Sequence, residues 1–152
     1  MIKISSLLKN TDLPIIVEQT VDHSIEELWN AITQAEQMKR WFFENIHSFI
    51  PKVGFETEFN VQVDDKNFLH QWKIIEVVRQ QKITYDWSYR EYSGRALVTF
   101  ELFEVGNQTK IILTSKVVES FSSNVPEFTR ESCIGGWNYF IRQNLKEYLD
   151  KK

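Results

Sequence analysis

Apolar and polar positions alternate along most of this chain, and the places where the period changes mark its elements. From Leu13 to Val21 the run LPIIVEQTV sets Ile15, Val17 and Val21 on one side of a two-residue alternation, which predicts a first strand. The period then lengthens. Ser24-Ile25-Glu26-Glu27 has the form of a capping box, in which the Ser24 hydroxyl accepts from the Glu27 N–H and the Glu27 carboxylate reaches back. Leu28, Trp29 and Ile32 follow at helical spacing, and Met38, Trp41 and Phe42 predict a second short helix before Pro51.

From Val53 to Val117 the two-residue period returns. Phe55, Thr57, Phe59, Val61 and Val63 alternate with Glu56, Glu58, Asn60 and Gln62, as in a strand with one wet face. Asp64-Asp65-Lys66-Asn67 reads as a turn, and four more strands are predicted at Leu69–Arg79, Lys82–Ser88, Arg95–Glu104 and Thr109–Val117. Their separators, Gln80-Gln81, Glu91–Gly94 and Gly106-Asn107-Gln108, are short enough for an antiparallel meander. After a polar loop, Ser120–Asn124, Pro126 suits the first turn of a helix from about Val125 to Leu149. Ile134, Trp137, Ile141, Leu145 and Tyr148 give that helix one apolar face.

Helices segregated from a run of strands imply an α+β fold. The economical arrangement is a helix grip: a curved antiparallel sheet wrapped around a long C-terminal α-helix, with two short helices after the first strand. No linker or repeat divides the chain, so residues 13–152 read as one domain and residues 1–12 as a lead-in.

Composition sharpens this picture in one respect. Aromatics make up 14% of the 152 residues, with 11 Phe, 5 Trp and 5 Tyr against 5 Gly and 3 Pro, so the rings need either a large core or a ring-lined cavity. A net charge of −3 gives no footprint for nucleic acid, and Lys39-Arg40 is too short a basic cluster to supply one. The single cysteine, Cys133, excludes an internal disulfide framework and fits a reducing cytoplasm. No apolar run approaches the roughly 18 residues of a membrane span, and the N-terminus has no secretory signature, so a cytoplasmic protein without membrane insertion is expected.

The layout and several local motifs together resemble the START-like (SRPBCC) superfamily, and within it the branch of activator of heat-shock protein 90 ATPase homologues. The matching residues are Leu28-Trp29-Asn30-Ala31-Ile32-Thr33, Met38 to Trp41, Ile83-Thr84-Tyr85-Asp86-Trp87, Val98-Thr99-Phe100, Thr109-Lys110-Ile111 and Gly136-Trp137 opening the last helix. Where many relatives carry a histidine near the end of the last strand, this chain has Leu113-Thr114-Ser115-Lys116. The resemblance implies the helix-grip fold and an internal cavity. It also implies one of three functions: ligand carriage, modulation of a chaperone, or cyclase chemistry. Twelve lead-in residues are too few for the separate chaperone-binding domain of the eukaryotic activators, so ligand carriage leads.

Candidate chemistry points the same way. A Cys-His nucleophile would need Cys133 to meet His23, His47 or His70, and burial as a small core residue is the better reading. Three histidines in three different elements lack metal-ligand spacing, so no metal and no cofactor are called for. His23 and His47 read as surface residues, while His70 suits the cavity side or the solvent side equally. Glu76, Asp86 and Arg90 could serve acid–base chemistry, but alternation sets Asp86 on the face opposite Tyr85 and Trp87. Gly135-Gly136 reads first as close packing of helix on sheet, second as space at a cavity mouth.

The expected protein is therefore a non-enzymatic binding domain for a small apolar or aromatic ligand. Its cavity would be lined by Trp41, Phe42, Phe59, Trp72, Tyr85, Trp87, Phe100, Trp137 and Phe140, with Tyr85, Arg130 and Asn144 as polar groups that orient the ligand. Trp29 and Phe55 read as plain core. The alternatives are an interaction protein that modulates a chaperone ATPase and a polyketide-cyclase-like enzyme.

Overall fold

The computed structural model describes residues 13–152, so the expected lead-in at 1–12 lies outside the described residues. Strand β1 (Ile15–Val21) leads into helices α1 (Ile25–Thr33) and α2 (Ala35–Trp41). Five strands follow: β2 (Glu56–Val63), β3 (Lys66–Val78), β4 (Lys82–Tyr89), β5 (Tyr92–Val105) and β6 (Gln108–Glu119). A short 3-10 turn (Pro126–Phe128) precedes the long helix α3, residues 130–151. The six strands form one antiparallel sheet in the order β1-β6-β5-β4-β3-β2. The predicted α+β helix grip is what the chain adopts.

Each strand shows the burial that its alternation requires. Val17 and Val21 on β1, Ile111 and Leu113 on β6, and Val98 and Phe100 on β5 are buried together with Ile83, Tyr85 and Trp87 on β4. On β3 the inward set is Phe68, His70, Trp72 and Ile74, after which a bulge between Ile74 and Glu76 inserts Ile75. The extra residue resets the alternation, so that Val77 packs on the core and Ile75 is exposed. The predicted hairpin ends shift slightly. Lys66 and Asn67 already pair with Val63 and Gln62, and Tyr92 pairs with Tyr89, so Arg90-Glu91 is the turn where a four-residue loop was expected.

The Ser24 cap forms as expected, with Ser24 Oγ accepting from Glu27 N–H at 3.1 Å. The Glu27 carboxylate lies below its ordinary pKa, chiefly through its hydrogen bond to His23 and also through the Ser24 backbone N–H. His23 extends the box into a clamp: Nδ1 meets Glu27 at 3.2 Å and Nε2 meets Asp150 at 3.0 Å, tying the start of α1 to the end of α3. Further along, Asn144 Nδ2 donates to Trp41 O at 3.2 Å and Tyr148 OH to Gln37 at 3.0 Å, seating α2 against the same helix.

The last helix departs from the sequence expectation in three ways. Pro126 opens the separate 3-10 turn, while α3 begins at Arg130 with Thr129 Oγ1 accepting from Ser132 N–H. Trp137, Ile141 and Leu145 are buried as expected, but the stripe ends on Leu149, and Tyr148 is only half-buried. Four-residue steps overshoot a turn of an ideal α-helix by about 40° each. A wider π-type segment, Asn138–Leu145, takes up that drift and keeps the four residues on one face. Finally, Gly135 and Gly136 lie inside α3, and a Cβ at either would meet nothing within 4 Å. Close packing of helix on sheet is thus not what these glycines serve.

Candidate ligand site on the concave face

The expected cavity residues converge on the concave face, and Phe42 sits at their centre. It caps α2 with φ −104° and ψ −100°, a turn of the backbone that throws the ring inward. The ring centroids of Trp41, Phe43, Trp72, Trp87, Phe100, Trp137 and Phe140 all lie within 6.2 Å of its own. Tyr85 joins through Trp72 at 4.9 Å and Phe100 at 5.7 Å, and Phe59 joins through Trp72 at 4.7 Å. All nine rings named from the sequence thus meet in one cluster. Trp29 is buried core, and Phe55 is half-buried against Phe49.

The three polar groups do not share one space. Tyr85 OH lies within the ring cluster. Arg130 donates to the carbonyls of Leu13 and Pro14 at 2.6 and 3.3 Å, at the other end of the sheet. Asn144 borders a surface cleft with Arg40, Tyr139, Tyr148, Lys151 and Lys152.

A second ring group, which sequence reasoning missed, occupies that other end. Tyr89 and Phe128 stack at 5.0 Å, and Phe68, Tyr92 and Phe121 surround Phe128 at 5.2 to 5.6 Å. Phe68 and Tyr89 carried a signal, because each continues the inward alternation of its strand. Phe121 and Phe128 lie between β6 and α3, where no period exists to read.

His70 joins the two groups, with ring centroids 4.8 Å from Phe59, Phe43 and Tyr89. It faces inward, is only 5% exposed, and shares a 2.9 Å hydrogen bond between Nδ1 and Phe68 O. Burial pushes its imidazole down to about 4, against the opposing effects of that bond and of the Glu91 charge. The unfolded chain therefore takes up a proton near pH 6.5 while the folded one stays neutral. Stability from this residue is present above pH 6.5 and is lost as the pH falls, levelling off below about 4. The full effect is on the order of 3 kcal/mol. His23 has the opposite sign: burial lowers its pKa, but Asp150 and Glu27 together hold it raised, so acid favours its clamp. Urea unfolding of the wild type and of His70→Phe between pH 7.5 and 4.5 should isolate the first contribution. The variant is expected to lose much less stability on acidification.

Beside the second ring group lies a cavity of about 510 Å³ between β1, β6 and the start of α3. Ile15, Val117, Phe121, Val125, Phe128 and Cys133 form its apolar wall, with Ser115 on its floor and Arg130 and Thr129 at its rim. Of the residues named from the sequence as cavity-lining, Arg130 alone borders it. Cys133 is half-buried, and burial pushes its thiol up, away from the reactive thiolate.

The carboxylates considered for proton transfer lie elsewhere. Asp86 is 3.5 Å from Arg95 Nε and Glu76 is 3.1 Å from Lys82, both on the convex face. Arg90 stands at 3.8 Å from Glu58. Among the described residues no group of three His, Cys, Asp or Glu side chains could hold a metal ion.

A family model described as Activator of Hsp90 ATPase homolog 1-like protein matches residues 22–150. The chain belongs to that family. Its membership agrees with the START-like resemblance of the motifs, and similar solved structures share the fold across nearly the whole chain. An HSP90 activator from Plasmodium falciparum aligns with a TM-score of 0.72 at 21% identity, covering 91% of this chain and 96% of that one. The Aha1 dimer from Colwellia psychrerythraea gives 0.66 at 20% identity, covering 90% and 96%. DynU16, a protein of the dynemicin biosynthetic locus, gives 0.70 at 18% identity, and this chain covers 47% of its length. No curated protein matches the chain. No helix among the described residues is long and apolar enough to cross a membrane.

Proposed function

We propose that this domain binds a small, mainly apolar molecule on the concave side of its sheet, entering through the cavity between β1, β6 and α3. The observation that carries this reading is the cavity itself. It is a cleft open to solvent, of about 510 Å³, with Ile15, Val117, Phe121, Val125 and Phe128 as its apolar wall, a size that suits a small molecule. Burial of apolar area against Ile15, Val117, Phe121, Val125 and Phe128, at roughly 25 cal/mol per Å², would supply the affinity. Arg130, at the rim, would meet a polar end of the ligand.

A titration with 8-anilinonaphthalene-1-sulfonate tests this. The native protein is expected to bind one equivalent, with the naphthalene in the cavity and the sulfonate towards Arg130. Ser115→Phe puts a ring into the cavity from its floor and should weaken binding at least about tenfold, with the thermal transition retained. Unchanged affinity in that variant would place the dye elsewhere and defeat the reading.

A second reading, modulation of a chaperone ATPase, is favoured by the cleft where Arg40, Lys151 and Lys152 outnumber the one carboxylate, Glu147, beside the exposed Tyr139. An acidic partner surface would fit there. Stimulation of an Hsp90 ATPase that falls in Arg40→Glu but survives Ser115→Phe would favour this function over ligand carriage.

A further inference from the structure

Two polar atoms stand out among the clustered rings. Trp72 is 2% exposed and Tyr85 is fully buried, and neither Trp72 Nε1 nor Tyr85 OH has a hydrogen-bond partner among the described residues. A buried donor without a partner costs on the order of 1–3 kcal/mol, so folded proteins rarely leave two on neighbouring rings. The two rings sit edge to face at 4.9 Å on adjacent strands. By contrast, the neighbouring indoles are served: Trp41 Nε1 donates to Ala31 O at 2.8 Å and Trp87 Nε1 to Tyr89 OH at 3.0 Å.

One side chain covers both atoms' rings. Phe49 stacks on Tyr85 at 5.6 Å and meets Trp72 edge to face at 6.2 Å. It is carried by the segment between α2 and β2, which has no helix or strand and is tied to β2 by His47 Nε2 to Glu58 O at 2.8 Å and to β3 by Gly54 N–H to Ile74 O and Ile74 N–H to Phe55 O. Swinging Phe49 out would open the ring cluster at those two donors without breaking the sheet.

We infer that Trp72 Nε1 and Tyr85 OH are the polar anchor of an inner ligand subsite gated by Phe49, built for a neutral acceptor oxygen on an aromatic molecule. Both groups can donate, so the group they take is an acceptor. Only two donors among apolar rings would leave a carboxylate or phosphate undercompensated, so a carbonyl or ether oxygen fits and an anion does not. The surrounding faces of Phe42, Phe49 and Phe100 favour a planar aromatic body. This inference rests on the ligand-binding reading and names the chemistry of the ligand.

Acetophenone and isopropenylbenzene provide the test, because they share one shape and differ by a carbonyl oxygen in place of a methylene. Titrations are followed by the five indole N–H signals in nitrogen–proton correlation spectra, one for each tryptophan. Acetophenone is expected to move the Trp72 signal and to bind about tenfold more tightly than isopropenylbenzene. Tyr85→Phe, which keeps the ring and removes the orphaned hydroxyl, should cut that preference to about threefold or less while isopropenylbenzene binds as before. Phe49→Ala should strengthen binding of both. Equal binding of the two probes, with the Trp72 signal unmoved, would overturn the anchor and leave the apolar site standing. Binding of neither probe, to wild type or to Phe49→Ala, would overturn the ligand-binding reading itself.

Discussion

Replacing Phe42 by alanine is expected to destabilise the protein by about 3–5 kcal/mol, the range for removing a large aromatic from a packed interior. The residue is 6% exposed, and seven rings surround it within 6.2 Å, drawn from α2, the segment after it, β3, β4, β5 and α3. Loss of its ring removes a shared contact that no single neighbour can replace, because the walls come from opposite sides of the grip. Urea or guanidinium unfolding measures the effect. Tyr139→Ala, at a residue 51% exposed on α3, should stay within about 0.5 kcal/mol of wild type. A loss below about 1 kcal/mol in Phe42→Ala would show that the surrounding rings relax into the gap and that Phe42 is not their centre.

Gly94→Ala is expected to cost about 2–5 kcal/mol and to disturb the cavity as well. Gly94 lies on β5 with φ +111°, a conformation that a side chain rarely adopts. A Cβ there would also lie 2.7 Å from Phe121 Cα and 2.8 Å from Phe121 Cγ. The backbone contact cannot be relieved by rotating a side chain, so the whole 120–125 segment must shift. Phe121 walls the 510 Å³ cavity, and the variant should therefore weaken 8-anilinonaphthalene-1-sulfonate binding along with stability. Gly106→Ala is the comparison: φ is +62° but nothing lies within 4 Å, so strain acts there without a clash and the cost should be smaller. Equal costs at the two positions would refute the role given to Phe121.

The two glycines also show where the legibility of the chain stops. Both were legible as turn residues, and only Gly106 is one. Gly94 sits inside a strand, and its reason is Phe121, far along the chain, which no local pattern links to it. The nine candidate rings were legible because seven of them fall on strands or on α3 in phase with buried neighbours. Phe121 and Phe128, which shape the cavity, belong to a stretch whose backbone is set by Thr129, Pro126 and contacts with Tyr89, so periodicity carried no trace of them.

By itself, then, the order of residues determined which faces of each strand and helix are apolar, where α1 is capped, and that a meander of strands ends in one amphipathic helix. These are local properties: a period of two or of 3.6 and a hydroxyl three residues from an acidic side chain act within one turn or one strand. The tertiary structure decided which rings meet across the grip, that Arg130, Asn144 and Tyr85 point into three separate spaces, and that Trp72 Nε1 and Tyr85 OH are left without partners. Each of those outcomes depends on long-range packing. The curvature of the sheet, the bulge at Ile75 and the wider turn in α3 set the distances, and none of them is written at any single position of the chain.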